Sequence, residues 1–317
     1  MWTRNTVQQD YHFALLPAIV KQRLPHAAGF QFWHIPWPNY EAFRICPWKE
    51  QILRGLCGND LLAFHIQHQF LRAFVVRYDA ALFSLPKFAR RLPIPQYLWW
   101  PSIDPLSPKN EDLAPETVRA TLDRLNLPHD RPIVLQVSRF DRFKDPIGVI
   151  KAFALVRRRV DCVLVLAGGG ADDDPEGAAV LAEVRAAAEG VPDVHILLLP
   201  SDAHRDINAL QRAAAVVVQK SAREGFGLTV TEAMRKGRPV VGGHAGGIAT
   251  QILHGTTGFL VGSPEGCAFR ILSLLENPDL PRRLGTEARE HVRRNFLITR
   301  NLRDYLVLLT LLRRRAS

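Results

Sequence analysis

The chain has 317 residues, 47% hydrophobic and 23% charged, and its 41 Lys and Arg against 31 Asp and Glu give a formal net charge of +10. That length holds two domains with a core each, and the composition excludes a disordered chain and a membrane-embedded one. The charge favours anionic partners, but the basic residues are dispersed and do not interleave with aromatics as in an RNA-recognition signature. Small anionic ligands, or simply a solvated arginine-rich surface, account for it instead. No apolar run approaches the ~20 residues of a membrane span; the longest, Tyr305–Leu312, ends in Arg313–Arg315. The opening MWTRNTVQQDYH lacks an apolar h-region. Four cysteines, Cys46, Cys57, Cys162 and Cys267, lack metal-ligand spacing, and together these features predict a reduced, cytoplasmic protein.

From Asp10, a polar triplet precedes Phe13, Leu15, Leu16, Ile19 and Val20, a spacing that predicts a helix packed on a sheet. A strand over Gly29–Trp33 ends in His34 and is broken by Pro36 and Pro38. A polar residue at the C-terminal end of a strand is where open α/β sheets place ligand contacts. A helix closed by glycines and a strand over Leu61–His65 follow. DLAPETVRATLDRLNL predicts a helix with Asp112 as its cap. A buried strand over residues 132–138 opens a second domain, and CVLVLAGGG, residues 162–170, is another strand ending in glycines. Asp172–Asp174 are consecutive and lack the spacing of a calcium loop, so a solvated loop is expected and no metal. The remaining order, VHILLLP, DINALQRAA, VVVQ, PVVGG, GFLV and two terminal helices, is that of a parallel doubly wound sheet.

Two segments carry candidate chemistry. Arg139 and Lys144 leave a strand end and precede a helix start at Asp145–Pro146. Two cations facing a helix N-terminus suit a diphosphate, because the helix adds unpaired N–H groups and a partial positive charge. Surface pairing with Asp141 and Asp145 is the plainer alternative. The second segment is REGFGLTVTE, residues 223–232, between a buried strand over Ala215–Gln219 and a helix ending before Gly237. Its glycine loop leads into a helix start, and Glu224 and Glu232 are placed to grip two parts of one polyhydroxylated ligand. Two glutamates eight positions apart are, taken alone, usually unrelated surface charges.

REGFGLTVTEAMRKGRPVVGGHAGGI resembles the donor-sugar signature of the retaining nucleotide-sugar glycosyltransferases of family four, which have the GT-B fold of two Rossmann-like doubly wound α/β domains. The resemblance implies that Glu224 approaches the transferred sugar and Glu232 holds the nucleotide ribose. Gly225, Phe226 and Gly227 match the intervening loop, Gly246 and Gly247 match a following glycine pair, and Arg139 and Lys144 fall to the donor pyrophosphate. DYH, HIPWP and FRICPWKEQILRGLCGNDLLAFHIQH, about Asp10 to His68, are similar to the acceptor-side domain of trehalose-6-phosphate synthases, a different family on the same fold. That match implies that Asp10 and His12 line the acceptor pocket and that His34 reaches the donor sugar. PSIDPLSPKN from Pro101 and NFLITRNLRDYL from Asn295 resemble trehalose glycosyltransferring synthases of family four.

The resemblances imply an acceptor-side domain over residues 1–125, a donor domain over 126–290, and terminal helices over 291–317 that pack back across the cleft. They imply a hexosyltransferase moving glucose from a nucleoside-diphosphate glucose to glucose or glucose 6-phosphate, with no metal and no cofactor. The acceptor attacks on the face that the nucleotide leaves, and the donor phosphate takes the proton. No nucleic-acid partner is expected, and a homodimer is left open. Because DYH lies deep in the first domain of the family, a shortened first domain with an exposed sheet edge is expected. The alternative reading is a non-catalytic donor-binding remnant.

Overall fold

A computed structural model describes residues 5–9, 11–33, 43–64, 78, 80–86, 92–169 and 175–316. The chain forms two compact units, Met1–Pro101 with Asn301–Ser317, and Ser102–Arg300. Asp10, His34, His65 and Asp172–Asp174 lie outside the described residues.

In the first unit, β1 (Asn5–Gln9), β2 (Ala28–Trp33), β3 (Leu61–Phe64), β4 (Ala80–Phe83) and β5 (Gln96–Leu98) form a parallel sheet in sequential order. β1 is an outer strand of that sheet among the described residues. The helix expected after Asp10 is α1 (Leu16–Arg23), but Phe13, Leu15, Leu16 and Ile19 are exposed, while Ala14 and Pro17 are buried. The apolar spacing was therefore misleading about the buried face. A close backbone approach explains this: a Cβ on Gly55, at the end of α2 (Lys49–Leu56), would sit 2.4 Å from the Ala14 carbonyl, so small residues make the contact.

The second unit holds β6 (Ile133–Val137), β7 (Val163–Gly168), β8 (Val194–Leu198), β9 (Val216–Gln219), β10 (Val240–Gly243) and β11 (Phe259–Val261), all parallel, in the order β11-β10-β9-β6-β7-β8. β6, β7, β9 and β10 are buried along their whole length. They read as continuous Val/Leu runs because helices cover both faces of a parallel sheet. On one face Val134, Leu164, Leu166, Val216 and Val218 pack with Phe153 and Val156 of α4 (Pro146–Arg157) and Ile271 of a later helix. Fully burying a side chain of this size contributes about 1.5–3 kcal/mol.

α3 (Pro115–Arg124) belongs to the second unit, so the division falls at Pro101–Ser102 and not at 125/126. The reason is polar stitching. On α6 (His204–Ala213), which follows α5 (Pro175–Ala188), the Asn208 amide donates to the Pro108 and Glu111 carbonyls at 3.0 and 2.8 Å. Arg212 donates to the Asp112 carboxylate at 2.8 Å and holds its carboxyl below the ordinary range. Asp112 is thus an ion-pair partner and not the cap of α3, which starts at Pro115 without a side-chain cap because proline fits the first helical position.

The rest of this unit is α7 (Leu228–Arg235), the short α8 (Ile248–Gln251), α9 (Pro264–Glu276) and α10 (Asp279–Asn295). α11 (Ile298–Ala316) follows, and its residues from Asn301 return to the first unit. There Tyr305 meets Phe30 and Trp99 edge-on, both with ring centroids 5.5 Å apart.

Candidate active site

Strand order in the second sheet reverses between β6 and β9: the chain runs outward through β7 and β8 on one side and through β10 and β11 on the other. At such a point the loops beyond the strand ends diverge and leave a crevice, the usual ligand position in open α/β sheets. The loops leaving β6, β9 and β10 carry Arg139, Lys144, Glu224, Gly246 and Gly247.

Two ion pairs join the first two loops. Lys144 Nζ lies 2.8 Å from Glu224 Oε2, with the side chains 18% and 9% exposed. The Ser221 hydroxyl donates to the same oxygen at 3.1 Å, and the Gly225 N–H donates to Oε1 at 3.2 Å. Beside it, Asp145 pairs with Lys220. Asp145 is in the left-handed region, φ 51°, and its carboxylate caps α4 by accepting from the Gly148 N–H at 3.0 Å. Gln136 in β6 donates to the Lys144 carbonyl at 2.9 Å, and the Phe143 carbonyl accepts from the Ala222 N–H at 2.8 Å. Arg139 lies 3.4 Å from Asp141, its side chain 71% exposed. The two predicted cations therefore differ: Lys144 is enclosed against Glu224, and Arg139 makes the surface pair that was its plainer alternative.

The glycine loop is braced from the third strand. Gly246 has φ 50°, and a Cβ there would lie 1.8 Å from the Glu224 carbonyl oxygen, so no side chain fits. The Gly247 N–H donates to the Gly225 carbonyl at 2.9 Å. Gln251 donates to the Phe226 carbonyl at 2.5 Å and accepts from the Thr231 hydroxyl at 2.5 Å, which ties α8 to the loop and to α7. Phe226 is buried and meets Phe296 edge-on at 5.7 Å. Gly227, φ 84°, opens α7 with no side-chain cap, and the space where Gly225 would carry a Cβ is open to 4 Å. An uncapped helix start beside open space is suited to anions or hydroxyls.

Glu232 lies on α7 and is 5% exposed; its Oε2 has no hydrogen-bond partner among the described residues. A buried carboxylate oxygen without a donor is costly, and a ligand hydroxyl would satisfy it. His12, on the Tyr11–Phe13 turn of the first unit, is exposed. The structure thus brings together Lys144, Glu224, Gly225, Phe226, Gly227, Gly246 and Gly247. It adds three residues that the sequence reading missed: Lys220, Ser221 and Gln251. Lys220 and Ser221 had a visible signal, since they directly follow a predicted buried strand; Gln251 had none.

Among the described residues no cluster of three or more His, Cys, Asp or Glu could hold a metal ion, and no helix is long and apolar enough to cross a membrane.

Residues 119–291 match the family Glycosyl transferases group 1, and residues 6–82 match Glycosyltransferase family 20. The trehalose synthase of Pyrococcus horikoshii is 41% identical over 249 residues, which cover 76% of this chain and 59% of that protein. The chain thus spans about three fifths of the length of that curated relative. Among solved structures, a glycosyltransferase from Rickettsia africae superposes with a TM-score of 0.74 at 15% identity, covering 98% of this chain and 99% of that one. An α,α-trehalose-phosphate synthase (UDP-forming) from Burkholderia xenovorans in complex with glucose-6-phosphate superposes with a TM-score of 0.68 at 16% identity, covering 97% and 74%. The fold is GT-B. With more than half of its length inside that first family, and with the glycine loop and both glutamates inside the match, the chain belongs to the group 1 glycosyl transferases.

Proposed function

We propose that the chain is a retaining hexosyltransferase that moves glucose from a nucleoside-diphosphate glucose to glucose or glucose 6-phosphate, forming trehalose or trehalose 6-phosphate. The observation that carries this reading is the Lys144–Glu224 pair at the switch point of the second sheet, beside the open glycine loop. The 41% identity to a trehalose synthase supports glucose as the transferred sugar. The acceptor arm with a phosphate is supported by the family 20 match and by the glucose-6-phosphate in the Burkholderia structure.

In this reading Lys144 turns from Glu224 to the donor diphosphate, joined by Arg139, and the two cations stabilise the charge that builds on the leaving nucleotide. Glu224, released, takes hydroxyls of the transferred glucose. The loop Gly225–Gly227, held by Gly246 and Gly247, presents backbone N–H groups to the same sugar. Glu232 accepts from the ribose. His34, with Asp10 and His12 on the acceptor side, completes the proposed set. The bond from sugar C1 to the phosphate oxygen breaks as the acceptor oxygen bonds C1 on the same face. The acceptor proton passes to the departing phosphate oxygen, so the reaction calls for no nucleophilic carboxylate and no metal.

The test is turnover of UDP-, ADP- and GDP-glucose with glucose and with glucose 6-phosphate as acceptors, product mass being read out, and Glu224→Ala as control. A disaccharide made by the wild type and lost in the variant supports the reading and names both substrates. Donor binding without transfer supports the alternative of a donor-binding remnant. Neither binding nor consumption of any of the three donors refutes both.

A further inference from the structure

Glu224 is held by more than its lysine. The Ser221 hydroxyl, which donates to Glu224 Oε2 at 3.1 Å, itself accepts from the Gln219 amide at 3.2 Å, and Gln219 Oε1 accepts from the Thr229 hydroxyl at 3.4 Å. Gln219 is the last residue of β9 and Thr229 lies in the first turn of α7, so a chain of side chains runs from the helix through the strand end to the carboxylate. Its two middle members are closed to solvent, Ser221 at 3% and Gln219 at 2% exposure. Ser221 is also fixed at its backbone. A Cβ on Gly243 of β10 would lie 2.4 Å from the Ser221 carbonyl oxygen, so the neighbouring strand backs it directly and no side chain fits between.

The direction of this chain follows from the groups in it. A carboxylate paired with an ammonium only accepts, so the one hydroxyl proton of Ser221 goes to Glu224. The Ser221 oxygen is then left to accept, which turns the Gln219 amide nitrogen toward it and the Gln219 carbonyl toward Thr229. Flipping that amide would set its carbonyl oxygen against the serine oxygen and draw the hydroxyl proton away from Glu224. In the proposed reaction Lys144 leaves Glu224 for the donor diphosphate, and Oε2 loses its charged donor. The Ser221 hydroxyl stays on that oxygen, buried and pointed by the amide behind it. Glu224 Oε1 accepts from the Gly225 N–H at 3.2 Å and has lone-pair capacity for a second donor, a hydroxyl of the transferred glucose.

We infer that Ser221, oriented by the Gln219 amide, is a positioning residue for Glu224: it keeps the carboxylate aimed while Lys144 turns to the donor diphosphate, so that Glu224 selects the transferred sugar by one of its hydroxyls. This rests on the proposed reading of Glu224 as the ligand of that sugar.

The experiment measures, by calorimetry on the full chain, the affinity for UDP-, ADP- and GDP-glucose and for the analogues of each that lack one glucose hydroxyl at a time, in the wild type, Ser221→Ala, Gln219→Met and Glu224→Ala. A hydrogen bond to a charged group makes the wild type prefer a glucose donor over at least one of its deoxy analogues by roughly tenfold or more. Ser221→Ala brings that preference close to its value in Glu224→Ala, and adding it to Glu224→Ala changes nothing further. Gln219→Met, which keeps the hydroxyl and removes the amide that orients it, gives an intermediate preference, and it decides the matter if Ser221→Ala does not fold. A serine needed only for packing would lower the melting temperature and leave the preference intact. A preference lost in Glu224→Ala but kept in full by every folded variant of Ser221 and Gln219 overturns the inference alone. A wild type that binds no donor, that prefers glucose over none of the analogues, or whose preference survives in Glu224→Ala overturns the reading of Glu224 and the inference with it.

Discussion

Replacing Lys144 by Met leaves the Glu224 carboxylate 9% exposed with its cation gone. Removing one partner of a fully buried ion pair costs about 3–5 kcal/mol, because the charge left behind is uncompensated. Here Lys144 is 18% exposed, and the Ser221 hydroxyl and the Gly225 N–H still reach the stranded carboxylate. The loss is therefore smaller, about 2–3 kcal/mol. For a unit the size of Ser102–Arg300, that lowers the melting temperature by about 5–10 °C. Pairing the change with Glu224→Gln removes the stranded charge and recovers most of the loss, since two neutral side chains of similar shape pack in its place. Thermal unfolding followed by circular dichroism, on the two single variants and the double one, gives the coupling directly. A Lys144→Met protein that melts within about 1 °C of the wild type, or a double variant no more stable than Lys144→Met, refutes the reasoning.

Gly246→Ala places a methyl group against the Glu224 carbonyl at a left-handed backbone position; it costs about 1–2 kcal/mol from the backbone conformation alone, and denaturant unfolding measures it. The same variant loses donor-sugar turnover by a larger factor than Gly262→Ala, where a Cβ meets nothing within 4 Å. The Lys236 amine is lowered by burial from 10.5 to about 7, so between those values the unfolded chain binds the extra proton and the folded one does not. Stability therefore rises with pH across that window and is lost again as pH falls through about 7; the wild-type minus Lys236→Met difference in urea midpoints, taken at steps of pH, shows the slope or its absence.

The parallel strands of the second sheet were legible because burial on both faces forces unbroken apolar runs, and Ile133–Val137 stands inside the predicted 132–138. The Glu224 loop was legible for a different reason. A turn that runs against another backbone, or that takes a positive φ, demands glycine at fixed places: Gly246 does both and Gly227 the second. Pairings across long separations left no local trace. Lys220 is 75 residues from Asp145, and Lys236 is 127 from Lys109; nothing in either neighbourhood encodes the other. Asp112 failed as a predicted cap because an acidic residue before a helix has the same local pattern whether it caps or pairs, and Arg212 decided between them. In the first unit the apolar spacing around α1 described a stripe without saying which side is covered, and the close approach of Gly55 set that instead.

The two ion pairs between the loops after β6 and β9 have crossed polarity. Lys144 and Asp145 are consecutive on one loop, and they meet Glu224 and Lys220 on the other. Exchanging partners would set Lys144 against Lys220 and Asp145 against Glu224, two like-charge contacts in a poorly solvated place. The loops therefore fit together in one way only, as a keyed joint does. Its halves are also unequal. Asp145 is committed to the start of α4 as well as to Lys220, while among the described residues the Lys144 ammonium bonds Glu224 alone. In the proposed reaction the donor diphosphate draws the Lys144 half open while the Asp145 half keeps the loops in register, so the joint would yield at one pair and hold at the other.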